Sequence, residues 1–224
     1  MPDLPLTYIT RPAGAGPEPP PGLILLHGLG SNEQDLMGLA PQIDSRLYVV
    51  SVRGPLRHRW GGYSWFDYER EGPGIGGPGI GSAVDLLTAF CEEVVRECKL
   101  DPRRLFIGGF SMGAAMAGAL ALLQPQRFAG AVMISGWLPP DVSPPRYRGA
   151  ALRGHRIFQG HGTRDQIVPL AFAHQTRDYL QRTAADLTYR EYPIGHEVSL
   201  PELMDLAGWL RDALDNVAPS SVGG

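Results

Sequence analysis

Residues 109–113 read Gly-Phe-Ser-Met-Gly, a serine with glycine two positions to either side. The run Leu105-Phe106-Ile107-Gly108 before it has the character of a buried strand. Ala114 to Leu123 after it reads as a helix built from small residues. A serine on so sharp a strand-to-helix turn takes a strained backbone, and side chains at 109 and 113 would collide there. An ordinary helix cap needs no glycine on both sides. The chemistry this predicts is attack by the Ser111 hydroxyl on an electrophilic carbon.

A serine nucleophile needs a base, and the base needs a group to orient it. His174 and His196 are the histidines far enough downstream to leave room for an acid between. His174 falls in a helix-like stretch. His196 lies in Pro193-Ile194-Gly195-His196-Glu197, a loop between the last strand and the last helix, and is assigned as the base. Asp165 follows the strand Arg156 to Gln159 through Gly160-His161-Gly162-Thr163-Arg164, which places it at a strand end as the orienting acid. Asp178 and Asp186 sit in or after a helix, Glu191 within a strand, and Glu197 beside the base itself.

An oxyanion formed during such an attack needs hydrogen-bond donors. One is the backbone N–H of Met112, at the start of the helix after Ser111. The second is expected from His27-Gly28-Leu29-Gly30, directly after the strand Leu23 to Leu26, with Leu29 as the donor. His27 reads as structural, and His161 as shaping the Asp165 loop. Trp65, Phe66, Trp137, Leu138 and Ile167 lie on loops beside these residues and are expected to wall an apolar pocket. Arg53 and Arg164 are candidates to attract an anionic substrate.

The elements that position these groups follow from hydrophobic period and capping. Strands are expected at Leu23–Leu26, Leu47–Val52, Leu105–Gly109, Ala129–Ser135, Arg156–Gln159 and, near a sheet edge, Leu187–Tyr192. Helices are expected from a Ser31-x-x-Gln34 capping box, at Ser82–Cys98, Ser111–Gln124 and Pro169–Arg182, and from a Ser199-x-x-Glu202 box onward. The alternation predicts an α/β fold with a mostly parallel sheet covered on both faces. Such sheets bind ligands at the C-terminal strand ends.

The chain of 224 residues suits one domain over 1–224, with a frayed tail at 218–224. The stretch 54–80 is too long for a plain connection and is expected to be a functional loop. Within and just beyond it, 72–81 reads GPGIGGPGIG and contains G-x-G-x-x-G twice. No strand precedes it, and Pro73 and Pro78 lack the N–H groups a phosphate would need. It is therefore read not as a nucleotide loop but as a rim or lid over Ser111. A formal charge of −3 gives no reason to expect nucleic acid or an anionic membrane as partner. No signal peptide, membrane span or zinc spacing is visible, so a cytoplasmic location and no metal are expected. Cys91 and Cys98, about 10 Å apart on a helix, are too far apart for a disulfide.

Together these residues resemble the phospholipase/carboxylesterase family of α/β hydrolases, which includes the acyl-protein thioesterases. The resemblance rests on Leu26 to Ser31, on Gly109 to Gly113, on His161 to Asp165 with Val168-Pro169, and on Gly195 to Val198. It implies an α/β-hydrolase fold without a large cap domain, no cofactor, and hydrolysis of carboxylic esters, thioesters or lysophospholipids through Ser111, His196 and Asp165. The implied partner is a small-molecule acyl ester; the assembly is left open between monomer and homodimer. Met112 stands where the family often has Gln, and Ala114 where it has a second glycine. Arg53-Gly54-Pro55 and Gly62 to Phe66 resemble bacterial esterases more than acyl-protein thioesterases, so protein deacylation does not follow. Alternatives on the same fold are a serine peptidase or amidase, and a non-catalytic binding module.

Overall fold

The computed structural model describes residues 6–67, 78–139 and 152–216. The tail at 218–224, and most of the glycine-rich repeat with its expected lid, lie outside the described residues. Nine strands are described: β1 (Tyr8–Arg11), β2 (Gly22–Leu26), β3 (Tyr48–Val52), β4 (Leu56–Arg57), β5 (Tyr63–Ser64), β6 (Leu105–Phe110), β7 (Gly130–Ile134), β8 (Arg156–Gly162) and β9 (Asp186–Tyr192). Four α-helices accompany them: α1 (Pro78–Glu97), α2 (Met112–Leu123), α3 (Leu170–Gln181) and α4 (Leu200–Asp215).

Seven strands form the main sheet in the order β1-β3-β2-β6-β7-β8-β9. Only β1 runs antiparallel to its neighbour; β3, β2, β6, β7, β8 and β9 are parallel. The segments after β2, β6, β8 and β9 therefore all emerge at one end of the sheet. This is an α/β-hydrolase sheet with helices on both faces and, among the described residues, no cap domain.

Alternation along the strands fills two large cores and a smaller cluster around Met133, Ile157 and Leu180. In β2 every residue is buried, as a doubly covered strand requires. Ile24 and Leu26 pack with Val50, Val52 and Ile107 against α1 and α2. Leu23 and Leu25 pack with Val49, Phe106 and Phe158 against α4 and a 3₁₀ segment at Leu36–Gln42. The central α2 is buried on nearly every side, which its small residues permit.

The structure departs from the sequence expectations at four places. Ser31 does not open a helix with Gln34: its hydroxyl donates to Asp35, its backbone bridges Tyr63, and only the 3₁₀ turn with Pro41 inside follows. Helix α1 begins at Pro78, so Ser82 is an exposed residue within it rather than its cap. Strand β1 was not foreseen; the Arg11 guanidinium ties it to the carbonyls of Ala40, Ile43, Asp44 and Leu47. Finally, the described part of the long loop folds into the β4–β5 hairpin.

Candidate active site

Ser111 stands between β6 and α2 with φ 55° and ψ −118°, a strained backbone for a residue with a side chain. The two flanking glycines are steric necessities. A Cβ on Gly109 would overlap the backbone of Gly113, and one on Gly113 would overlap the Leu26 and His27 carbonyls. The turn is held by Ser111 N–H donating to the Ile134 carbonyl at 2.9 Å.

Ser111, His196 and Asp165 are brought together. His196 Nε2 lies 3.0 Å from Ser111 Oγ, and Nδ1 lies 2.7 Å from Asp165 Oδ2. A carboxylate only accepts, so the ring proton sits on Nδ1 and Nε2 faces the hydroxyl as an acceptor. The Asp165 carboxylate is fully buried. Its Oδ1 accepts the N–H groups of Ile167 and Val168, each at 2.9 Å, which fixes the loop after β8. His161 sits behind it, with Nε2 2.9 Å from the Val168 carbonyl and 3.5 Å from Asp165 Oδ2. The Phe110 ring packs 4.7 Å from the His196 ring. This arrangement can move the serine proton to Nε2 and hold the resulting imidazolium against a buried carboxylate.

Ser111 opens into a cavity of about 260 Å³ lined by Gly28, Leu29, Met112, Phe110, Trp137 and Ile167, with Val168, Ser31 and Asp35. Leu29 and Met112, the expected oxyanion donors, therefore both lie on its wall. Of the five residues expected to wall the pocket, Trp137 and Ile167 do so. Trp65, Phe66 and Leu138 do not. Trp65 and Phe66 are 1% exposed and belong to the core, because the hairpin folds their side chains inward. Trp65 donates its indole N–H to the His27 carbonyl at 2.9 Å. Leu138 packs with Met133 and Leu152 in a separate cluster.

Phe110 and Asp35 went unforeseen in the cavity. Phe110 is the residue between glycine and serine in the motif, and its neighbour alone could have drawn attention to it. Asp35 arrives through the Ser31 turn, which carries no such signal. Arg53 is already engaged: it is paired with the buried Glu33 at 2.5–2.6 Å and lies over the Tyr63 ring. His174 lies in α3 and pairs with Glu191 on the surface. Among the described residues no helix is long and apolar enough to cross a membrane, and no His/Cys/Asp/Glu group could hold a metal ion.

A family model described as phospholipase/carboxylesterase matches residues 15–214. A probable carboxylesterase from Oryza sativa subsp. japonica is 30% identical over 156 residues, 67% of this chain and 58% of that protein. Acyl-protein thioesterase 1 from Debaryomyces hansenii is 28% identical over 211 residues, 86% of this chain and 90% of that protein. Among solved structures, the Bacillus cereus carboxylesterase superposes with a TM-score of 0.83 at 27% identity, covering 94% of this chain and 96% of that one. A carboxylesterase from Mesorhizobium loti gives 0.82 at 25% identity, covering 94% and 97%.

Proposed function

The chain belongs to the phospholipase/carboxylesterase family of hydrolases, and from that premise we propose that it cleaves carboxylic esters through Ser111, His196 and Asp165 by way of an acyl-enzyme. The observation that carries the reading is the hydrogen-bonded series Asp165–His196–Ser111, at 2.7 and 3.0 Å, whose His196 and Ser111 line an apolar-walled cavity. The whole chain acts as one domain in this reading.

In the first step Ser111 Oγ attacks the ester carbonyl carbon and its proton passes to His196 Nε2. The backbone N–H groups of Leu29 and Met112 hold the oxyanion. Collapse breaks the bond to the alcohol or thiol, which leaves with the proton from Nε2. Water then gives a proton to Nε2 and attacks the acyl carbon, and the proton returns to Ser111 as the acid departs. Asp165 stays ionised throughout and keeps the ring in the productive tautomer. The walls formed by Phe110, Trp137 and Ile167 suit a neutral acyl group of short to medium length, since the cavity is at the lower end of small-molecule sites, about 300 Å³. Thioesters are substrates by the same steps, as the leaving group need only accept one proton.

Ser111→Ala tests the reading. Hydrolysis of a short-chain aryl ester should fall to background while the protein stays folded. Unchanged turnover would reject it.

A further inference from the structure

His27 follows β2 and is fully buried. Its ring joins two backbone segments beside the cavity. The N–H of Gly54 donates to Nε2 at 2.9 Å, so Nε2 carries no proton and the ring proton sits on Nδ1. Nδ1 lies 2.7 Å from the Gly28 carbonyl and donates to it. Burial pushes the imidazole pKa below its ordinary value, which keeps the ring in this neutral form.

The bond to Gly28 has a directional consequence. A trans peptide is planar, so the Gly28 carbonyl and the Leu29 N–H point in opposite directions. Holding the carbonyl against the buried ring turns the N–H away from the ring. Gly28 and Leu29 line the cavity with Ser111 and Met112. Among the described residues, no backbone acceptor meets the N–H of Leu29 or of Met112. The loop is pinned further by Trp65 Nε1–H on the His27 carbonyl and by Gly30 N–H on the Tyr63 carbonyl, both at 2.9 Å.

We infer that His27 is a positioning residue for the oxyanion hole: its Nδ1–H, by holding the Gly28 carbonyl, aims the Leu29 N–H at the oxyanion formed over Ser111. His27 touches no substrate. Together with the Ser31 N–H, which also donates to the Gly28 carbonyl at 3.2 Å, it prevents the Gly28–Leu29 peptide from flipping, which would put a carbonyl oxygen where a donor is needed. A donor fixed in advance costs no reorganisation as the charge develops. The inference rests on the acyl-enzyme reading above.

Two near-isosteric variants separate this role from simple packing. His27→Asn places an amide N–H near the Nδ1 position, and His27→Gln places an amide oxygen near Nε2. The readouts are kcat, KM, melting temperature, and affinity for a trifluoromethyl ketone, whose adduct with Ser111 carries an oxyanion. For His27→Gln we expect kcat to fall about 100-fold with KM within about threefold, and inhibitor affinity to fall in proportion. His27→Asn should recover about tenfold of that loss. Trp65→Phe, which removes the bond to the His27 carbonyl, gives a second reading: a several-fold drop in kcat matched by the inhibitor.

A folded His27→Gln protein with wild-type kcat would overturn the inference. So would a loss that His27→Asn does not recover, or one the inhibitor does not share. Should His27→Gln not fold, unchanged kcat in Trp65→Phe would overturn it. Wild-type turnover and its loss in Ser111→Ala are measured alongside. If those fail, the Ser111 reading falls; if they hold while the His27 variants match wild type, only this inference falls.

Discussion

His196 Nδ1 lies 2.7 Å from Asp165 Oδ2, while the other oxygen of Asp165 is engaged by two backbone N–H groups of its own loop. The carboxylate thus has separate tasks at its two oxygens, and a single substitution can divide them. Asp165→Asn can keep an acceptor for Ile167 and Val168 but presents an N–H to His196. The ring must then adopt the other tautomer, with Nε2–H facing Ser111. We predict a fall in kcat of about 10³- to 10⁴-fold with the fold retained. Steady-state kinetics on an aryl ester, with melting curves alongside, check it.

Glu202 makes a pH-dependent prediction about stability. It is fully buried in the first turn of α4, and neither carboxyl oxygen makes a hydrogen bond. A Cβ on Gly160 would overlap it, so that strand position is open only because the residue is glycine. Burial, aided by Asp205, pushes its pKa up to about 7. A carboxyl whose folded pKa is raised binds its proton more tightly in the folded state. Its cost to stability is absent below the unfolded value near 4.5, grows as pH rises, and levels off above about 7. Glu202→Gln should therefore stabilise the protein at pH 8, by on the order of 3 kcal/mol. At pH 4.5 it should change little. Melting temperatures of both proteins across that range test the sign.

Ile167 offers a test of the pocket that spares the core. It lines the cavity yet is 63% exposed, so Ile167→Ser should scarcely move the melting temperature. Losing its apolar contact costs about 1 kcal/mol for an acyl chain that reaches it, or roughly fivefold in kcat/KM. Acetyl esters should be less affected than hexanoyl esters, which a graded chain-length series would show.

Glycine substitutions test the strained turn. Gly113→Ala drives a Cβ into the Leu26 carbonyl and should abolish folding or activity. Gly208, exposed in α4 with nothing near its Cβ position, is the control. There alanine should stabilise by about 0.5–1 kcal/mol.

The features legible in the sequence are those set by local chemistry. The buried runs at Leu23–Leu26 and Leu105–Gly109, the glycines around Ser111, and the Ser199 cap each depend on neighbours in the chain. Ser199 does accept the N–H of Glu202. What escaped depends on partners distant in sequence. Strand β1 is fixed by Arg11 reaching carbonyls some 29 to 36 residues away. Trp65 and Phe66 look like pocket residues until the β4–β5 hairpin turns them inward and gives the indole a carbonyl at His27. The Ser31 capping box failed because the hydroxyl found Asp35 and the backbone found Tyr63 instead.

In the proposed reaction Ser111, activated by His196, is the nucleophile. The most direct test of that role is reaction with a fluorophosphonate followed by mass analysis of the peptides. One phosphonyl group per chain is expected, on the peptide containing Ser111, with esterase activity lost in step, and no labelling in Ser111→Ala or His196→Ala. Labelling at another residue, or full esterase activity in a protein whose Ser111 is blocked, would contradict it.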